Sequence, residues 1–146
     1  MSDGQDAVSR IRGFNRFYTA FLGVLDRHFL ESPFSLTEVR VLYEICHGSG
    51  CLARDIGESL RVDRGYMSRI IDSFIARGLV RKSPSPRDRR QHIITLTPKG
   101  RDVFGSLEAR SEQSISQAIR ALSRDEQIEL MRHMERVQVL LTRGAE

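Results

Sequence analysis

Three arginines, Arg87, Arg89 and Arg90, crowd into four positions around Asp88. A guanidinium group is planar, permanently charged and able to donate two parallel hydrogen bonds. Several of them on one narrow projection suit a polyanion with a groove. Apolar runs flank the cluster, Leu79–Val80 before it and Ile93–Leu96 after it. His92–Thr97 is β-branched and alternates enough for a strand. Pro84 and Pro86 keep the intervening loop out of helix and sheet. The pattern predicts a β-hairpin with arginines at its tip. Around it lie Arg77, Arg81, Lys82, Arg87, Arg89, Arg90, Lys99 and Arg101, opposed only by Asp88. Such one-sided charge on a hairpin points to nucleic acid rather than to a merely solvated face.

Other chemistries find little footing. His28, His47, His92 and His133 are scattered, and no Ser, Cys or Asp falls in a recognisable nucleophile motif. Gly48–Gly50 has neither the preceding strand nor the third glycine of a dinucleotide loop. Cys46 and Cys51 form no C-x-x-C pair and have no matching histidine spacing. They read as small buried apolar side chains. A thiol sensor is the alternative, if a helix start and Arg54 lower the pKa of Cys51. No catalysis, metal or cofactor is expected.

The elements that would position the arginine finger follow from periodicity and caps. Leu52–Leu60 is a short helical pattern, Arg61–Val62 a brief turn, and Asp63 a good N-cap for a second helix to about Ala76, ended by Gly78. Two helices, a short turn and a hairpin make a winged helix-turn-helix, with the second helix suited to a major groove. Upstream, Val8, Ile11, Phe14, Tyr18, Phe21, Leu22, Leu25 and Phe29 mark an amphipathic helix over about Asp6 to Leu30. Ser32–Pro33 breaks it. Ser35 or Thr37 caps the next helix, whose apolar positions are Leu36, Val39, Leu42, Tyr43 and Cys46, and His47–Gly50 is a loop. Thr97–Pro98 opens a further helix with Val103, Leu107, Ile115, Ile119 and Leu122 on one face. Ser123 and Glu126 form a capping box for the last helix, lined by Leu130, Met134, Val137 and Leu141, with Ile128 and Met131 beside them.

A chain of 146 residues with 40% hydrophobic and 29% charged side chains is ordinary for one soluble domain. The net charge is +4. No run is apolar enough for a membrane span, and Met1–Asp6 is not the start of a secretory signal, so a cytoplasmic protein is expected. The fold class is mainly α with a small β wing. Residues 35–100 form the winged helix-turn-helix. Residues 1–34 and 101–146 form a helical dimerisation region, because their apolar faces exceed what a small core can cover.

Asp88-Arg89-Arg90 and Leu96-Thr97-Pro98-Lys99-Gly100 resemble the D-x-R…L-T-x-x-G wing signature of the MarR family of transcriptional regulators. Val62–Ile71 and Arg77-Gly78-Leu79-Val80 resemble its recognition helix and exit, and the likeness extends over essentially the whole chain. Phe14–Thr19, Ser32–Glu38 and Asp63-x-Gly65-Tyr66 also resemble the MarR-like half of fusions to a GNAT acetyltransferase, whose catalytic half this sequence does not contain. The resemblance implies a homodimer on double-stranded DNA, often a repressor on a pseudo-palindromic operator, released by a small aromatic or other organic acid. Its alternatives are a regulatory partner or detached DNA-binding half of an acetyltransferase system, and a thiol redox regulator. The redox subgroup carries its cysteine in the first helix, where this sequence has none.

Arg64, Gly65, Ser68 and Arg69 fall on the exposed side of the expected recognition helix, and Met67, Ile70, Ile71 and Phe74 on its core side. Tyr66 stands between the two as a further DNA-contact candidate, its ring able to pack while its hydroxyl meets phosphate. Arg64 and Arg69 suit guanine edges, phosphates or an ion pair with Asp72. Arg90 aligns with the family's minor-groove arginine, and Arg87 and Arg89 join it as DNA contacts. Asp88 anchors the wing by pairing with an arginine. Arg77, Arg81 and Lys82 are phosphate contacts or solvated charge. The family's effector pocket lies between dimer base and winged helix. Phe14, Phe17, Tyr18, Phe21, Arg40 and Tyr43 are its candidate lining, with Arg16 or Arg40 for a carboxylate; the competing reading makes the aromatics core and the arginines surface.

Overall fold

The computed structural model describes residues 3–48 and 50–143, without the side chains of residues 3 and 24–30. Ser49 of the expected loop, and the side chains of Leu25, His28 and Phe29, lie outside the described residues. The chain divides into two compact units, residues 1–111 and 112–146.

The first unit opens with α1 (Asp3–Leu30). Helix α2 (Leu36–His47) starts at Ser35, not Thr37. The Ser35 hydroxyl accepts from the Glu38 N–H while the Glu38 carboxylate accepts from the Ser35 N–H at 2.7 Å. Helices α3 (Ala53–Leu60) and α4 (Arg64–Ala76) form the helix-turn-helix. The Asp63 carboxylate caps α4 by accepting from the Tyr66 N–H at 3.0 Å.

Strands β1 (Cys51–Leu52), β2 (Val80–Pro84) and β3 (His92–Leu96) make an antiparallel sheet in the order β1-β3-β2. The two-residue β1 falls where the sequence suggests a helix start; it is too short to show alternation, and its partners Ile93 and Ile94 are 41 and 43 positions away in the chain. Pro84, expected in the loop, pairs with His92 at the end of β2. An edge strand tolerates a proline there because no ladder donor is needed on its free side.

The core draws Phe34, Val41, Leu42 and Ile45 from around α2, Ile56 from α3, and Met67, Ile70, Ile71 and Phe74 from α4. Leu79, Val80, Ile94 and Leu96 enter from the wing, and Phe104 and Leu107 from α5 (Pro98–Ala118). Burial of apolar side chains at about 25 cal/mol per Å² is what fixes α4 against the sheet. The cysteines do not join this core fully: Cys46 is exposed and Cys51 half-buried.

In the second unit the chain turns at Ile119–Leu122 and enters α6 (Arg124–Thr142). Ile119 and Leu122, expected on the preceding helix, sit in this turn, where their carbonyls accept from the Gln127 amide. Ser123 and Glu126 form the expected capping box, and its hydrogen bonds hold the Glu126 carboxyl below the usual carboxylate range.

Candidate nucleic-acid interface

Helix α4 buries Met67, Ile70, Ile71 and Phe74, spaced three and four apart. The same 3.6-residue period leaves Arg64, Gly65, Tyr66, Ser68 and Arg69 exposed. The Arg69 guanidinium lies over the Tyr66 ring, 5.9 Å from its centre. Neither Arg64 nor Arg69 pairs with Asp72, the ion pair the sequence allowed. Asp72 faces the Lys82 ammonium at 3.5 Å, joining α4 to the wing.

The wing's register sorts its cations. Val80, Lys82 and Pro84 pair with Leu96, Ile94 and His92, so Lys82 shares the face that lower down carries the buried Val80, Ile94 and Leu96. Lys82 therefore points toward α4. Arg81 is on the other face, where its Nε–H donates to the hydroxyl of its partner Thr95 at 3.3 Å.

At the tip the backbone closes on itself. The Ser85 N–H donates to the Gln91 carbonyl at 2.8 Å, and the Gln91 N–H to the Asp88 carbonyl at 2.9 Å. The Asp88 carboxylate accepts from the Arg90 N–H at 3.0 Å, while its distance to the Arg90 guanidinium is 3.8 Å. Asp88 thus holds the turn through the backbone of Arg90, alongside the side-chain pairing with an arginine that the sequence suggests. The Arg90 side chain is 95% exposed. Arg87 and Arg89 are exposed as well.

The wing's base is stapled by one threonine. The Thr97 hydroxyl donates to the Gly78 carbonyl at 2.6 Å and accepts from the Gly100 N–H at 3.0 Å, and the Thr97 N–H donates to the Leu79 carbonyl at 2.9 Å. Gly78 takes φ +71°, which lets α4 turn into β2. A Cβ on residue 100 would overlap the Leu79 carbonyl, so only glycine lets α5 start this close. These contacts give Leu96-Thr97-Pro98-Lys99-Gly100 a physical role in setting the angle of the finger.

Between α3, α4 and the wing runs a cleft of about 920 Å³. Arg64 and Ser68 border it from α4, and Lys82, Gln91 and His92 from the wing. Arg54 and Arg61, neither of them a DNA-contact candidate in the sequence, border it from α3 and the turn. Helical and strand faces become neighbours only in the fold, so no local spacing could have shown this.

The remaining candidates divide. Arg77 is half-buried with its guanidinium 4.0 Å from the centre of the Phe34 ring, and its carbonyl accepts from the Lys99 ammonium at 2.8 Å. It is a packing group rather than free surface charge. Phe14, Phe17, Tyr18 and Phe21 stack along α1, while Tyr43 stacks on His47 and meets Phe104 edge-on. Phe14, Phe17 and Tyr43 are exposed, so they are not the ordinary core of the competing reading, and Arg40 is exposed too. A shallow 300 Å³ depression holds Arg12 and Arg16 of α1 and none of these aromatics. Burial pushes the Cys51 thiol up, with Glu44 and Asp55 adding to the effect, the reverse of the lowered pKa that a sensor needs. Arg54 does not offset this, since it faces Asp55 and Glu58. Among the described residues no three His, Cys, Asp or Glu side chains gather as a metal site, and no helix is long and apolar enough to cross a membrane.

A model of the MarR family matches residues 32–91, which hold the helix-turn-helix and the first part of the wing. The transcriptional regulator BilQ of Clostridium symbiosum is 24% identical over 88 residues, 60% of this chain and 61% of that protein. The chain thus spans about three fifths of that curated relative. In fold it is similar to a MarR family protein from Bacillus stearothermophilus, with a TM-score of 0.83, 15% identity, and coverage of 97% of this chain and 99% of the other. It is also similar to Bordetella bronchiseptica BpsR, whose DNA binding is regulated by 6-hydroxynicotinic acid, with a TM-score of 0.69, 20% identity, and coverage of 94% and 96%. Matched in sequence over the helix-turn-helix and the first part of the wing, and in fold over almost its full length, this chain is a winged-helix protein similar to the MarR family of transcriptional regulators.

Proposed function

We propose that the chain is a DNA-binding transcriptional regulator, acting as a homodimeric repressor on a pseudo-palindromic operator. The observation that carries this reading is a cleft bordered by both α4 and the wing, with Arg64, Ser68 and Lys82 on its walls. In the proposal α4 enters the major groove. There Arg64 and Arg69 meet guanine edges or phosphates, Ser68 and Tyr66 meet the backbone, and Gly65 allows close approach. The wing tip reaches the neighbouring minor groove with Arg90, flanked by Arg87 and Arg89. Residues 35–100 are the DNA-binding part, and residues 1–34 and 101–146 supply the dimerising helices. Exposed apolar faces on α1 (Val8, Ile11, Phe14) and on α6 (Leu130, Met134, Leu141) support a second copy of the chain as their cover. In this reading a small organic acid releases the DNA, by analogy with BpsR. Candidate contacts are Phe14, Phe17, Tyr18, Phe21, Arg40 and Tyr43.

Titration of the protein with duplex DNA at several salt concentrations tests the proposal. Affinity should fall steeply and linearly on logarithmic axes, as phosphate neutralisation requires. Binding that ignores salt, or no binding at all, would refute it. A thermal-shift screen of aromatic acids tests ligand control, which stabilisation by none of them would remove.

A further inference from the structure

Among the described residues Arg61 is the one non-glycine with a positive φ, at φ 53° and ψ 42°. It ends α3, where its N–H donates to the Glu58 carbonyl at 3.2 Å. This is the position at which helices commonly place glycine, because a Cβ is unfavourable in the left-handed region. An arginine there is strained backbone, and strain retained in a turn directs attention to the side chain. That side chain is exposed and borders the cleft between α4 and the wing.

The charges around it favour an anion. Arg54, Arg61, Arg64 and Lys82 border the cleft against two carboxylates, Glu58 and Asp63. Asp63 is engaged with the Tyr66 N–H, Glu58 lies 4.0 Å from Arg54, and Lys82 faces Asp72. Among the described residues no carboxylate lies within ion-pair distance of Arg61 or Arg64. Two unpaired guanidiniums three positions apart thus flank the turn between the two helices.

We infer that Arg61 is a further DNA-contact residue, which seats a backbone phosphate at the helix-turn-helix turn and is kept there at the expense of a relaxed turn. The inference rests on the DNA-binding reading above. It separates Arg61 from Arg64 and Arg69, because a phosphate contact holds every sequence alike and carries no base preference.

The test uses the full chain, a mixed-sequence duplex at low salt, and four proteins: wild type, Arg61→Gly, Arg61→Asn and Arg61→Lys. Glycine and asparagine both suit the left-handed region, so their melting temperatures should equal or exceed that of the wild type. Their affinity should fall about three- to tenfold, with a salt slope smaller by about one. Arg61→Lys keeps the charge and should bind nearly as the wild type does. Unchanged affinity and slope in Arg61→Gly and Arg61→Asn would overturn the inference and leave the DNA-binding reading intact. So would an Arg61→Lys loss equal to theirs, or a lower melting temperature with unchanged binding, which would make Arg61 only a cap for α3. A wild type that binds no duplex would instead remove the underlying reading.

Discussion

Arg90 carries no visible load in the fold: its side chain is 95% exposed and stands 3.8 Å from Asp88. Arg90→Ala should therefore leave the melting temperature unchanged. It should weaken binding to the operator by about 1–3 kcal/mol, read by fluorescence anisotropy at physiological salt. Equal affinity would take the wing out of the interface. Arg90 was legible in the sequence because charge density needs no tertiary information. Arg77 was not, since its stacking on Phe34 joins residues forty-three positions apart. Arg61 stands out in the sequence only as part of a turn, because a left-handed backbone is not announced by an arginine side chain. Cys51 was open to a reactive reading from its neighbour Arg54. The fold instead surrounds its thiol with burial, Glu44 and Asp55, which all push its pKa up.

The elements were the most readable level, because capping chemistry is local. Ser35, Asp63 and Ser123 each open a helix in the way their side-chain oxygens allow. The sheet was less readable. Strand β1 depends on a partner elsewhere in the chain, and Pro84 belongs to a strand only because β2 lies at the edge. The hairpin itself was evident, yet its angle is set by Thr97, whose hydroxyl reaches back to Gly78 and on to Gly100. Thr97→Val keeps the shape and removes these bonds. Denaturant unfolding should show a loss of about 1 kcal/mol, the worth of hydrogen bonds at a partly buried turn whose Gly78 carbonyl stays open to water. A variant as stable as the wild type would show that packing alone holds the wing's base.

For the whole molecule, what matters is the apolar surface that neither unit covers. Leu141 is 68% exposed and Phe17 64% exposed, values that suit a lone chain in water poorly. Periodicity showed these faces in the sequence, but no single-chain pattern can say what covers them. If a second copy does, Leu141→Glu and Phe17→Glu should shift sedimentation toward the monomer and weaken DNA binding together. A wild type that sediments as a monomer would contradict the dimer. The most direct measurement is a hydroxyl-radical footprint on the duplex that the protein selects most tightly from random-sequence DNA. The account predicts two protected stretches on one face of the duplex, about 10 base pairs apart centre to centre. Uniform cleavage at saturating protein would contradict it.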